Sequence, residues 1–407
     1  MKVFKNRILT LNSGSSSIKF AVYVVDGSLQ QILKGEINRI GLPNTIFAFN
    51  NLAENRQGNQ TIEAANHQEA AAFFMQWLEK QINFNSVAAV GHRLVQGMRH
   101  TKTQVITPKL LKELHGLIPY DPDHLPNEIE LIQALGKRHP TLVQIACFDT
   151  AFHQSMPRVA KILPIPRRFD AVGIQRYGFH GISYQFLIEK LEELTDKKTA
   201  NGRIILAHLG NGASLAAVYE GKSVDTTMGF TPVGGVPMGS RPGNLDPGVI
   251  YFMLSKEHLS SKKLNYLINH ECGLIGISET SSDMTDLLNQ EVKDVRAAEA
   301  VALFCYEVKK AIGSLAAALG DVETLVFAGG IGENAPVIRK RICEGLEFLG
   351  IKVNENENDK NAGIISEKNS KVNIRIIATD EELMIAKMTH NVLSTKLECN
   401  TNYHENE

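Results

Sequence analysis

Three short turns rich in glycine and serine each follow an apolar segment, and turns of that make can wrap an anion. The first lies in "RILTLNSGSSSIKFAVYVV" (Arg7–Val25), where Ser13-Gly14-Ser15-Ser16-Ser17 separates two apolar segments. Its backbone N–H groups and small hydroxyls have little bulk above them, which suits a phosphate and suits a plain hairpin connection equally. It is not a Walker A loop: no Gly-Lys-Ser/Thr follows, and Ile18, Phe20, Val22 and Val24 alternate as in a strand. The second turn lies in "AHLGNGASLAAVY" (207–219). Sliding the chain by 196 residues sets Gly14 on Gly210 and Ala21-Val22-Tyr23 on Ala217-Val218-Tyr219. A duplicated unit would then carry a phosphate-sized turn in each copy. The third, Gly329-Gly330-Ile331-Gly332, sits between a strand and a segment whose Pro336 suits a first helical turn, where unpaired N–H groups attract phosphate. "GIGENA" (330–335), with Glu355 downstream, also fits a dinucleotide fingerprint loosely, but a lone match of that kind is weak.

These turns need rigid elements behind them. Strands are expected over Ile8–Leu11, Ile18–Val25, Ala88–Val90, Val143–Phe148, Ile204–Ala207, Ser214–Tyr219, Thr324–Ala328 and Ile374–Ile377. Helical periodicity covers Gln68–Gln81, Arg296–Leu319 and Pro336–Leu349, the last stopping at Gly350. Strands alternating with helices predict an α/β architecture. The 407 residues allow two or three domains, and 43% hydrophobic with 21% charged residues is ordinary for a globular protein. A net charge of −1 gives no field to recruit nucleic acid or an anionic membrane. No run approaches the ~18 apolar residues of a spanning helix. The start "MKVFKNRILTLN" lacks the apolar core of a signal peptide. Cys147, Cys272, Cys305, Cys343 and Cys399 form no C-x-x-C pair, so neither a zinc site nor a disulfide framework is expected, and a reducing cytoplasm fits.

A series of blocks, in order from residue 10 to 386, resembles the acetate kinases. They are "LTLNSGSSSIKF", "VGHRLV" (90–95), "CFDTAFHQSMP" (147–157), "RYGFHG" (176–181), "LAHLGNGAS" (206–214), "DTTMGFTP" (225–232), "MGSRPGNLDPG" (238–248), "GLIGISETSSDM" (273–284), "FAGGIGEN" (327–334) and "TDEELMIA" (379–386). Singly several are generic; together and in order they are specific. The resemblance implies the duplicated, two-lobed actin/hexokinase-like (ribonuclease H-like) fold, with the active site in a cleft between lobes. It implies an N-terminal lobe over 1–150 completed by about 385–400, a C-terminal nucleotide-binding lobe over 151–384 that also forms a homodimer, and a polar tail over 394–407. It further implies reversible, direct in-line transfer of the γ-phosphoryl of ATP to acetate, giving acetyl phosphate and ADP. Magnesium would assist, with manganese as a substitute, and acetyl phosphate would feed acetyl-CoA formation.

By the same resemblance, Arg93 and Arg241 hold the carboxylate and the phosphoryl in flight, and His180 donates to the transition state. Asp149 is the catalytic acid that orients magnesium and an arginine, and Glu381 and Asn12 join it at the metal. Asn12 and Lys19 flank the phosphates, with Ser15 and Ser17 supporting the turn. His208, Leu209, Gly210, Asn211 and Gly212 contact nucleotide phosphate. Asp283, Met284, Thr285, Gly330, Ile331, Gly332 and Asn334 fall in the adenosine blocks. Val95, Phe179 and Pro232 would hold the methyl of acetate. Each also has an ordinary structural reading: a strand end for Arg93, a pair with Asp246 for Arg241, a core histidine for His180, helix caps for the acids and core for the apolar three.

The chain departs from the family pattern at several places. Gln96-Gly97-Met98 stands where His-Gly-Gly is usual, and Gly181-Ile182-Ser183-Tyr184 where Gly-Thr-Ser-His is usual. "DPDHLP" (121–126) replaces A-P-L-H-N-P, setting Asp123 in place of an apolar residue ahead of His124. Thr285 replaces an arginine of the adenosine block. These changes touch the acyl pocket and the adenine rim, so propionate and another phosphoryl partner stay open beside acetate and ATP.

Overall fold

The computed structural model describes residues 5–14 and 16–404, with side chains through Thr395. Ser15 lies outside the described residues. The chain divides into two compact units, one of Met1–Ala151 with Asp380–Glu407 and one of Phe152–Thr379.

The first unit is built on a sheet of β1 (Arg7–Ser13), β2 (Ser17–Asp26), β3 (Ser28–Asn38), β4 (Thr45–Asn51), β5 (Arg56–Ile62), β6 (Val87–Leu94), β7 (Gln104–Val105) and β8 (Val143–Phe148). Their order is β5-β4-β3-β2-β1-β6-β8-β7. The second unit holds β9 (Ile204–Leu209), β10 (Ala213–Tyr219), β11 (Lys222–Thr226), β12 (Thr324–Ala328) and β13 (Asn373–Ile376), ordered β11-β10-β9-β12-β13. Five strands of the first sheet, β3-β2-β1-β6-β8, repeat that order. In both, the first strand pairs antiparallel with its successor and parallel with the fourth, and the last pair is parallel. This is the duplicated actin/hexokinase-like fold, and it gives the faint sequence repeat a structural meaning.

The register also corrects that repeat. Ala21 faces Thr10 in the first hairpin, and Ala217 faces Ile205 in the second. The second strands therefore superpose at an offset of 196 and the first strands at 195. Residues 14–17 separate Ser13 from its partner Ile18, whereas only 210–212 separate Leu209 from Ala213. The second turn is one residue tighter.

Each sheet is held by an amphipathic helix. His67–Gln81 starts at Asn66, whose side chain accepts from Glu69 N, and buries Ala70, Phe74, Met75 and Leu78. Phe74 and Trp77 meet Phe20 and Phe47 of the sheet, with ring centroids 4.7 Å apart for Phe20–Phe74 and 4.8 Å for Phe47–Trp77. In the second unit, Val295–Leu319 is capped by Asp294, ends on Gly320 (φ 76°), and buries Ala297, Val301, Phe304, Val308 and Ile312.

Three expectations need correction. The helix opening at Pro336 ends at Cys343, because Gly345 (φ 82°) breaks it; a 3₁₀ turn, Glu347–Leu349, then runs to Gly350 (φ 84°). Gly329–Asn334 is a helical turn entered directly from β12, not an open glycine loop. The last helix runs Glu381–His404 and takes in most of the segment expected as a polar tail. That helix packs on β1 and β6. Gly91 permits the approach: a Cβ there would lie 2.1 Å from Thr389 Oγ1 and 2.7 Å from Ile385 Cγ2. The helix start is thereby brought to the end of β1.

Candidate active site

In the first unit, three strand ends converge. Asn12 lies near the end of β1 and Arg93 near the end of β6, while Asp149 follows β8 and is tied by its own N–H to Leu94 O at 2.9 Å. Arg93 Nη2 donates to Asp149 Oδ2 at 2.9 Å, and Arg93 Nη1 to Asn12 Oδ1 at 3.2 Å. Asn12 Nδ2 in turn donates to Glu381 Oε2 at 2.9 Å and Glu382 Oε1 at 3.2 Å. Burial opposes the Arg93 charge, but Asp149, Glu381 and Glu128 outweigh it and hold the guanidinium above its ordinary range. Arg93 is therefore a fixed cation with one edge committed to a buried carboxylate. Lys19 faces Asn12 across β1 and β2 and acts electrostatically on Glu382, whose carboxyl burial and Glu381 push above the ordinary range.

The same region contains acids that sequence reasoning missed. Glu128 is buried on the helix Leu125–Arg138, and both its oxygens accept from Val95 N at 3.2 Å. Burial, with Asp121 nearby, raises its pKa well above the carboxylate range. Asp121 is buried as well; its Oδ1 meets His124 Nδ1 at 2.8 Å, and its Oδ2 has no hydrogen-bond partner among the described residues. Asp123, the acid that the sequence set in place of an apolar residue, is only partly covered. Gln96 is fully buried and its Oε1 accepts from Met98 N, which fixes Met98 at φ 46°, a left-handed conformation that glycine would adopt without strain.

The second unit gathers the remaining predicted residues. Arg241 Nη1 donates to Pro232 O at 2.8 Å. The Asp246 carboxylate caps the helix Pro247–Ser255 through Gly248 N. A Cβ added to Gly212 would meet Arg241 Nη2 at 2.9 Å and His180 Nε2 at 3.2 Å. Arg241 and His180 therefore converge above a bare glycine at the end of the β9–β10 turn. His180 stacks on His208 with ring centroids 4.3 Å apart. Asn211 packs against Gly239, where a Cβ would fall 2.1 Å from Asn211 Oδ1.

The glycine-rich turns of this unit also meet each other. Gly329 (φ 76°) has no room for a side chain, since a Cβ would sit 2.7 Å from Leu209 O. A Cβ on Gly210 would be 3.8 Å from Gly330 N. Behind them lies Arg339, fully buried, donating to Gly332 O, Glu333 O, Asn358 and Asn361. Burial lowers its pKa to about 10. It clamps the turn that carries Ile331 and Gly332.

Other predicted residues serve visible structural roles. Asp283 Oδ1 accepts from Thr285 N at 2.7 Å and Asp286 N at 3.2 Å, capping the helix Met284–Gln290; Met284 is buried and Thr285 exposed. Asn334 Nδ2 donates to Gly330 O at 3.0 Å. Val95 and Phe179 are 2% and 1% exposed, each within its own unit. Nothing in the sequence flagged Glu128 or Arg339, because a charged residue on a helix normally reads as a solvated face; only its i, i+4 company of apolar residues hints at burial.

Known proteins decide the family. The Acetokinase family model matches residues 7–387. The chain belongs to the acetokinase family. An acetate kinase of Rhodopseudomonas palustris (strain TIE-1) is 41% identical over 386 residues, covering 93% of this chain and 96% of the relative. One of Thermoanaerobacterium thermosaccharolyticum is 39% identical over 401 residues, covering 96% and 99%. Among solved structures, a propionate kinase from Francisella tularensis subsp. tularensis SCHU S4 superposes with a TM-score of 0.88 at 34% identity, covering 95% of this chain and 100% of that one. Porphyromonas gingivalis acetate kinase does so with a TM-score of 0.83 at 34% identity and the same coverage.

Proposed function

We propose that this acetokinase-family chain transfers the γ-phosphoryl group of ATP reversibly to acetate, giving acetyl phosphate and ADP by direct in-line displacement. The observation that carries this reading is the donor set: a fixed Arg93 in one unit, and Arg241 with His180 over Gly212 in the other. A carboxylate is ionised at pH 7, so it attacks phosphorus without a general base. One carboxylate oxygen forms the new P–O bond while the bond to the β–γ bridging oxygen breaks, and ADP leaves with that electron pair. The obstacle is repulsion between two anions, which guanidinium and imidazole N–H groups offset where charge spreads over the phosphoryl oxygens. The paired glycine turns around Leu209 and Gly329, clamped by Arg339, supply a close-fitting backbone surface for the nucleotide.

Magnesium suits the residues present. Among the described residues no group of three or more His, Cys, Asp or Glu forms a protein cage. Magnesium takes one or two carboxylates and completes its shell with water and phosphate oxygens. Asp149 and Glu381, bridged through Arg93 and Asn12, are carboxylates of that kind. The metal would neutralise phosphate charge, while Asn12 keeps Glu381 oriented.

Incubation with ATP, magnesium and hydroxylamine tests the activity by trapping acyl phosphate as a hydroxamate. Acetate should give product; no product with acetate, propionate or butyrate would refute the reading. Buried Glu128, which accepts from Val95 N, makes a propionate arm informative, because it holds the segment from which Val95 projects. We further propose a homodimer. The helix Pro247–Ser255 (PGVIYFMLS) has no buried residue, and Tyr251 and Phe252 are 73% and 54% exposed. An apolar helix uncovered by its own unit marks an association surface.

A further inference from the structure

His180 is the left-handed N-cap (φ 57°) of the helix Gly181–Leu194, and Tyr184 lies in its first turn. Both reach one hydroxyl. Ser214 Oγ is 2.8 Å from His180 Nδ1 and is also hydrogen-bonded to Tyr184 OH. Ser214 and Tyr184 are both 0% exposed. Ser214 faces His208 across β9 and β10, and the His208 ring, held by Ser183 Oγ at 2.8 Å, stacks on His180. The imidazole of His180 is thus fixed by a hydroxyl at one nitrogen and by a second ring along its face.

The hydrogen-bond arithmetic sets the proton. A serine hydroxyl has one proton to give. Ser214 Oγ has His180 and Tyr184 as its partners among the described residues. If it accepted from both, its own proton would be buried without an acceptor. It therefore accepts from one and donates to the other. A phenol is more acidic than an alcohol and is the better donor, so Tyr184 donates to Ser214 and Ser214 donates to His180 Nδ1. An accepting Nδ1 leaves the ring proton on Nε2, the atom that lies with Arg241 Nη2 over Gly212.

We propose that Tyr184 and Ser214 are positioning residues that fix His180 as the Nε2–H tautomer, so that imidazole and guanidinium present N–H donors to the same phosphoryl oxygens. The proposal rests on the reading of His180 as a transition-state donor. Tyr184 stands where the family pattern commonly has histidine, so the relay belongs to this chain's own sequence.

Histidine-labelled full-length protein, examined by ¹⁵N and ¹³C NMR with H180A to assign the resonance, reads the tautomer without altering the relay. His180 should show Nε2–H; a predominant Nδ1–H form overturns the proposal. S214A should lower kcat roughly 10–100-fold while KM for ATP and for acetate stay within about twofold, the effect of a misaimed group rather than lost binding. S214T, which restores the hydroxyl, should recover most of kcat, and Y184F should fall between S214A and the unaltered protein. An S214A enzyme with full kcat, when H180A has lost it, overturns the relay alone. Full kcat in H180A overturns the role of His180 itself, and the proposal with it.

Discussion

The two arginines that the sequence singled out together differ in what surrounds them, and their variants should separate accordingly. Arg93 is paired with a fully buried Asp149, so R93A would take a cation from a buried carboxylate and confuse folding with catalysis. Arg241 donates to the Pro232 carbonyl, and R241A should lose roughly 10³-fold or more in kcat, as measured by single-turnover and steady-state kinetics. Retention of kcat within tenfold would remove Arg241 from the chemistry. Glu128 offers a test of the buried acid. Its folded pKa lies above its unfolded value because of burial and Asp121, so its proton is bound more tightly in the folded state. That contribution to stability is complete below the unfolded pKa near ~4.3 and is lost as pH rises through the folded one. E128Q cannot ionise. Its unfolding free energy should therefore gain on that of the unaltered protein steadily from about pH 4.5 upward, by urea titration at successive pH values. A constant difference across pH would show that Glu128 does not titrate abnormally. At this scale, the residues legible in the sequence were those inside motif blocks. Glu128, Ser214 and Tyr184 act through burial and through contacts with distant residues, which no local pattern encodes.

Elements were legible where they are buried on a regular period. β8 and β12 match their expected bounds residue for residue, since Val143–Phe148 and Thr324–Ala328 are short apolar runs ended by polar residues or glycine. β3, β4 and β5 escaped notice. β5 (RQGNQTI) buries only its last residue, Ile62, and as an outer strand it carries no alternation to read. The glycines show the complementary case: each was visible as a letter, but its purpose depends on what approaches it. Gly273 (φ 64°) is the sharpest. A Cβ there would lie 2.2 Å from Met238 O and 2.6 Å from Arg241 O, so this glycine seats the backbone that carries Arg241. G273A should push that backbone aside and lower kcat about 10²-fold, since displacements near 1 Å are enough to do so. Gly313 is the control, being mid-helix with nothing within 4 Å of an added Cβ. G313A should leave kcat unchanged and raise stability by about 0.5–1 kcal/mol. Equal kcat values for the two variants would break the link between Gly273 and Arg241.

At the scale of the whole molecule, the duplication was half visible. An ungapped slide found the second strand of each hairpin, but the tighter 210–212 turn puts the first strands one residue out of step, so most of the repeat is lost to any fixed offset. Topology preserves what the letters do not, because strand order and pairing direction survive the replacement of nearly every side chain. Association is the other property of the whole. Tyr251 and Phe252 on Pro247–Ser255, and Tyr266 on the neighbouring helix Ser261–His270, are each more than half exposed. Exposing this much aromatic surface costs solvation free energy at ~25 cal/mol per Å² of apolar area, which a second copy could recover by covering it. A stable interface needs about 800 Å² per partner, more than three side chains supply, so the whole face around this helix pair must take part. Sedimentation velocity should show a dimer at micromolar concentration, and Y251D with F252D should shift it to monomer by placing two carboxylates where apolar surface meets itself. Tyr251 and Phe252 are exposed side chains outside the glycine-rich turns, so the monomer should still bind nucleotide. A protein that sediments as a monomer before any substitution would refute the homodimer.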